Sequence, residues 1–99
     1  VMTPPLVVVT GASSGIGLAV ARAFARDGHP LLLVARHMKP VDGLAAERTV
    51  YAEADVTDYP ALEAAVRGAE ARFGKTGCLV NNAGFADARP FSAVAAEDY

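Results

Sequence analysis

A single cysteine, Cys78, stands among the 99 residues, which excludes an internal disulfide and any metal site built on paired cysteines. Its neighbours Leu79 and Val80 are apolar, so it reads as a buried structural thiol and suggests a reducing, cytoplasmic setting. No apolar run approaches the roughly eighteen residues that a membrane span needs. The opening Val1-Met2-Thr3-Pro4-Pro5 lacks the charged start and apolar core of a secretory signal. Basic residues are not in excess: 9 Lys and Arg face 11 Asp and Glu, a net charge of −2, so there is no electrostatic footprint for nucleic acid. Neither an internal repeat nor a low-complexity tract interrupts the chain. What remains is one modest domain with a 53% hydrophobic content, rich for a chain with this much surface to cover.

The apolar residues fall into alternating elements. Leu6–Thr10 is an expected strand, and a helix follows over about 14–27, with Ile16, Ala19, Val20, Ala23 and Phe24 recurring at three- and four-residue spacing. Gly28 stands where that helix would be capped. Leu31–Ala35 reads as a second strand, apolar on both faces as a strand covered from both sides should be. Pro40 and Gly43 break up residues 38–48, where one irregular helical segment is expected. Thr49–Ala54 is a third strand. Thr57 or Asp58 caps a helix with Pro60 in its first turn, and Leu62, Val66, Ala69 and Phe73 form its buried stripe. Cys78–Asn82 is a fourth strand, and Ala95–Tyr99 has the look of a first helical turn. Strands alternating with helices imply a parallel sheet with helices on both faces and crossover connections. The expected spatial order is 3-2-1-4, rather more than half of a doubly wound α/β fold.

The most informative segment is Thr10-Gly11-Ala12-Ser13-Ser14-Gly15-Ile16-Gly17, set between the first strand and the first helix. The first N–H groups of a helix have no partner within it and lie at the positive end of its dipole. A pyrophosphate satisfies both needs, provided that glycine lets the backbone approach. Ser13 and Ser14 add hydroxyl donors. The pattern Gly11-x3-Gly15-x-Gly17 differs from the commonest dinucleotide fingerprint, G-x-G-x-x-G, and three glycines alone could make an ordinary strand-to-helix turn.

Three segments in order carry a resemblance. Thr10–Gly17 resembles the cofactor motif of the classical short-chain dehydrogenases/reductases (SDR family). Asp55-Val56-Thr57-Asp58 resembles that family's adenine-pocket motif, and Asn81-Asn82-Ala83-Gly84 its N-N-A-G motif. The resemblance implies a Rossmann-type doubly wound parallel sheet, of which residues 1–99 would be the N-terminal, cofactor-binding portion, truncated at its C-terminal end. It further implies that Gly11, Ser13, Ser14, Gly15, Ile16 and Gly17 hold the pyrophosphate and the adjacent ribose. Asp55 would accept from the adenine amino group beside the Val56 backbone, or alternatively only cap the following turn. Asn82, Ala83 and Gly84 would line the cleft floor near the adenine-side ribose, and Asn81 and Asn82 would also tie neighbouring strands together. The complete enzyme would act on a small carbonyl or alcohol substrate and form a homo-oligomer.

Arg36 bears on the choice of cofactor. It lies nineteen positions after Gly17, at the end of the second strand, where a carboxylate would bind the ribose 2′-OH of NAD and an arginine the 2′-phosphate of NADP. A guanidinium matches a phosphate in charge and fork geometry, and no Asp or Glu lies between Leu31 and Val41. NADP(H) is thus expected ahead of NAD(H). The competing reading is a solvated arginine, with His37 either assisting or simply exposed.

The family's acid/base machinery, a tyrosine with a lysine four residues on and a serine, is missing. Tyr51 and Tyr59 are followed at that spacing by Asp55 and Glu63, Tyr99 is the last residue, and the lysines Lys39 and Lys75 have Ala35 and Ala71 four positions before them. Without a positioned proton donor, carbonyl reduction loses on the order of 10²–10⁴-fold. The expectation is therefore a cofactor half-site with no catalytic residue and no metal. It would belong to a larger NADP-dependent oxidoreductase or, alternatively, to a non-catalytic nucleotide-binding or interaction module. The glycine spacing disfavours a third reading, an extended-type epimerase.

Overall fold

The computed structural model describes residues 4–13 and 15–82. Their elements run β1 (Leu6–Thr10), α1 (Gly15–Arg26), β2 (Leu31–Ala35), a 3₁₀ turn (Ala46–Arg48), β3 (Thr49–Glu53), α2 (Tyr59–Phe73) and β4 (Thr76–Asn81). The four strands form one parallel sheet in the order β3-β2-β1-β4, as the alternation predicts.

Side-chain alternation on β1 and β2 divides the core into two layers. Val7, Val9, Leu31, Leu33 and Ala35 point to one face, where Ala21, Val20, Phe24 and Ala25 of α1 cover them. Leu6, Val8, Leu32 and Val34 point to the other, against Ala69, Leu62, Val66 and Phe73 of α2. Every residue of β1 and β2 is buried, which is why both strands read as unbroken apolar runs. At about 1.5–3 kcal/mol for each Leu or Val taken fully out of water, these two strands supply the largest share of the hydrophobic stabilisation.

The α2 stripe is as expected, but that of α1 needs correction. Ile16 is 73% exposed, and Ala19 and Ala23 are exposed as well. The helix instead buries Gly17 and Ala21 and leans on the sheet through Val20, Phe24 and Ala25. Apolar spacing left two faces to choose from, and the close seating of Gly17 on the glycine turn decides between them. The boundaries of the third and fourth strands also shift. β3 stops at Glu53, although the Ala54 N–H still donates to Ala35 O at 3.0 Å. β4 starts two residues early, at Thr76, with a register irregularity opposite Leu6 and Val7. Gly77 accounts for it: a Cβ there would lie 2.5 Å from Pro5 side-chain carbons, so glycine allows the irregularity rather than ending the strand. Cys78 is half-buried, packed against the α1-side core.

Caps follow the local chemistry. Asp58 opens α2, accepting from the Ala61 N–H at 3.3 Å, with Pro60 in the first turn. After α1, Gly28 (φ 87°) turns the chain while its N–H donates to Ala25 O and the His29 N–H donates to Phe24 O. Among the described residues no helix is long and apolar enough to cross a membrane, and no cluster of potential metal ligands occurs.

Candidate functional site

β1 leaves the core at Thr10, which is buried and whose side chain joins β1 to β4. Its hydroxyl donates to Asn81 Oδ1 at 2.9 Å, with Val80 O a longer alternative at 3.4 Å, and accepts from the Asn82 N–H at 3.1 Å. The C-terminal ends of β1 and β4 are thereby clamped side by side. Asn82 extends the clamp by donating its side-chain amide to Gly11 O at 3.4 Å.

The glycine turn then reverses the chain into α1. Gly11 and Gly15 both have positive φ, 65° and 59°. Gly17 has a different role. A Cβ there would overlap Gly11 O and lie 2.8 Å from Asn82 Nδ2. Only a residue without a side chain lets the first turn of α1 press against the turn and β4 this closely. No acidic residue occupies the first turn of α1, so the positive end of its dipole is not offset locally.

β1 lies between β2 on one side and β4 on the other, so the chain direction across the sheet switches at the carboxyl end of β1. Crevices for ligands form at such switch points. A cleft of about 560 Å³ opens there, lined by Gly11, Ser13, Arg36, Asp55, Val56 and Asn82 together with His37 and Thr57; ligand sites span roughly 300–1,000 Å³. Six of the predicted residues thus share one cavity. Gly15, Ile16 and Gly17 form the adjoining first turn of α1. Ser14, Ala83 and Gly84 lie outside the described residues.

Arg36 is exposed at the rim and makes no hydrogen bond among the described residues. The loop that carries it is pinned from β3: Glu53 Oε2 accepts from the Met38 N–H and the Tyr51 hydroxyl accepts from the Val41 N–H, both at 3.0 Å. Across the cleft, Asp55 Oδ1 accepts from the Thr57 N–H at 2.9 Å and the Thr57 hydroxyl at 2.8 Å. The Thr57 amide and hydroxyl hold the Asp55 carboxyl below its usual range, and the Arg36 charge adds to this. Asp55 therefore does cap its turn, but through one oxygen, and Oδ2 makes no hydrogen bond among the described residues. Sequence reasoning missed the roles of Tyr51 and Glu53, took Thr10 only as the start of the glycine motif, and offered Thr57 as a helix cap, a place that Asp58 takes instead. For Thr57 a signal existed, because Asp-x-Thr is the spacing of a side-chain-closed turn.

Comparison with known proteins agrees with this geometry. The pattern of the short chain dehydrogenase family matches residues 5–99. This chain belongs to that family. It is 48% identical over 82 residues to a galactitol 2-dehydrogenase (L-tagatose-forming) of Cereibacter sphaeroides, covering 79% of this chain and 32% of the relative. Among solved structures, an actinorhodin polyketide ketoreductase with NADPH superposes with a TM-score of 0.70 at 31% identity, over 96% of this chain and 38% of the other. An alcohol dehydrogenase from the archaeon Thermococcus sibiricus, complexed with 5-hydroxy-NADP, gives a TM-score of 0.64 at 35% identity, over 76% and 35%. The chain spans between a quarter and two-fifths of the length of the curated relatives it matches. It is thus the cofactor-binding N-terminal region of a short-chain oxidoreductase fold.

Proposed function

We propose that these residues bind NADP(H) in preference to NAD(H), as the cofactor half of an oxidoreductase acting on a carbonyl or alcohol. The observation that carries the reading is Arg36, a guanidinium without a hydrogen-bonded partner among the described residues, at the rim of the cleft that holds the glycine turn. The residues fit the group. The cradle at Gly11 and Gly17 is one that a Cβ would fill, and the end of α1 beside it has no acidic neighbour in its first turn. Gly11, Ser13, Ser14, Gly15, Ile16 and Gly17 would bind the pyrophosphate and adjacent ribose, and Arg36 the 2′-phosphate. Asp55 Oδ2 and the Val56 backbone would meet the adenine, while Asn82, Ala83 and Gly84 line the ribose side. The bound cofactor supplies the hydride; these residues hold and orient it.

The proton donor is a separate matter. No tyrosine here has a lysine four residues on, so in this reading the acid/base residues and the substrate pocket belong to sequence outside these 99 residues. Residues 1–99 would then form the N-terminal part of a single dinucleotide-binding domain, in a cytoplasmic enzyme that works as a homo-oligomer. Support for NADP(H) also comes from the two relatives above, solved with NADPH and 5-hydroxy-NADP. Dissociation constants for NADPH and NADH, measured by calorimetry on the protein and on Arg36→Asp, test the proposal. Tighter NADPH binding that reverses in the variant supports it, and equal affinities in the parent overturn it.

A further inference from the structure

A second cavity, of about 310 Å³, lies at the opposite end of the sheet, between the C-terminal half of α1 and the segment leading into β3. Leu31 and Thr49, the first residues of β2 and β3, line it. It is therefore separated from the cofactor cleft by the length of a strand, about 13 Å at roughly 3.3 Å per residue.

Its charge is one-sided. Arg22, Arg26 and Arg48 line it with His29, and no carboxylate does. Asp27, Asp42 and Glu47 are neighbours in sequence, yet the one ion pair among the described residues is Arg67–Glu63, on α2. Two of the guanidiniums are fixed by backbone carbonyls: Arg22 Nη1 donates to Asp42 O at 3.0 Å and Arg48 Nη2 to Gly28 O at 2.6 Å. One such bond leaves most of each five-donor fork available. The Arg26 guanidinium makes no hydrogen bond among the described residues. His29 is anchored as well, by Nδ1 on Pro5 O at 2.9 Å.

Three like charges gathered on one concavity repel one another, and none of them forms an ion pair among the described residues. A multivalent oxyanion would do so with charge-assisted, bidentate hydrogen bonds. Because Arg22 and Arg48 are already held, little side-chain entropy is lost on binding. We propose that this pocket binds a small phosphate-type polyanion, such as a free diphosphate group, independently of the dinucleotide cleft.

Hydrogen-exchange mass spectrometry on the protein with inorganic pyrophosphate tests this, against sodium chloride at matched ionic strength. The expected result is a saturable slowing of exchange, about threefold or more, across residues 43–49, with no such effect from chloride. Arg26→Gln, which removes a guanidinium that anchors nothing, should weaken the pyrophosphate midpoint about tenfold, as expected for one charge-assisted hydrogen bond. Arg22→Gln should weaken it too, while Arg26→Lys retains part of the affinity. An equal response to chloride, slowing confined to residues 11–17 and 36–37, or an unchanged midpoint in Arg26→Gln would each overturn the proposal. The two sites report on different peptides, so failure here leaves the Arg36 reading untouched.

Discussion

Replacing Gly17 by alanine adds one methyl group where no space is left for it. The new Cβ would overlap Gly11 O, lie 2.8 Å from Asn82 Nδ2 and 3.0 Å from Gly11 C. Two of the three atoms are backbone, and the third donates to Gly11 O, so no flexible side-chain end can swing away. The start of α1 must withdraw by about 1 Å to reach ordinary contact distance. Overpacking of this kind costs about 1–3 kcal/mol, against a helix-propensity gain of about 1 kcal/mol. The net expectation is a loss of up to about 2 kcal/mol, read by urea denaturation, or about 4–8 °C in Tm per kcal/mol for a domain of this size. Dinucleotide affinity should fall at least about tenfold, since the displaced turn is the one proposed to meet the pyrophosphate. Two further glycines serve as controls. Gly15→Ala meets nothing within 4 Å but must keep a φ of 59°, a strain of about 1–2 kcal/mol. Gly68→Ala meets nothing, has no positive φ and lies within α2, so it should stabilise by up to about 1 kcal/mol. If Gly17→Ala behaves like Gly68→Ala, the close seating of α1 on the turn is wrong.

Three other outcomes are expected. Arg36→Asp should change the NADPH/NADH affinity ratio by roughly 10–100-fold towards NADH, the worth of one or two charge-assisted hydrogen bonds, and calorimetry on both cofactors would detect an unchanged ratio. Asp55 and Glu70 both have folded-state pKa values depressed by hydrogen bonds, from Thr57 and Thr76 respectively. Their stabilising contribution is present above the unfolded carboxylate range of about 4 and is lost as pH falls through the lower folded values. Asp55→Asn should accordingly flatten the acid limb of a stability–pH curve, and a limb identical to the parent's would show that the Thr57 bonds do not matter. Finally, the 99 residues alone should not oxidise NADPH with any carbonyl substrate, and sustained loss of absorbance at the nicotinamide band, above that of Gly15→Trp, would refute the placing of the proton donor elsewhere.

The alternation of apolar runs and turn residues was enough to read the strand order, because β1 and β2 are buried on both faces and their sequences can hardly say anything else. Arg36, Asp55, Val56 and Asn82 were legible for a related reason: each stands one to three positions past the end of a strand, and the carboxyl ends of parallel strands converge. What the sequence did not disclose were choices made by packing. The face that α1 buries depends on how closely Gly17 sits on Gly11, which no periodicity encodes. The register irregularity at Gly77 depends on Pro5, some seventy positions away. The Thr10 clamp joins residues just as distant, and the β3 side chains that hold the Arg36 loop act across strands.

These long-range ties have a common consequence for the site. The atoms proposed to meet the cofactor's phosphates are largely backbone N–H groups, whose positions are only as fixed as the segments that carry them. Here the turn hangs from β1, which has two sheet neighbours and no exposed residue, and is tied to β4 through Thr10 and Asn82. The part of the cleft that needs fixed geometry thus rests on the most buried part of the sheet. Arg36 and Asp55 stand instead on exposed loops beyond β2 and β3, each steadied by only a few side-chain bonds. Substitution there changes charge without disturbing the core, so in the proposed reading cofactor preference would be separable from folding. The glycine turn lacks that freedom, because Gly17 seats the helix and, in the proposed reading, would also admit the ligand.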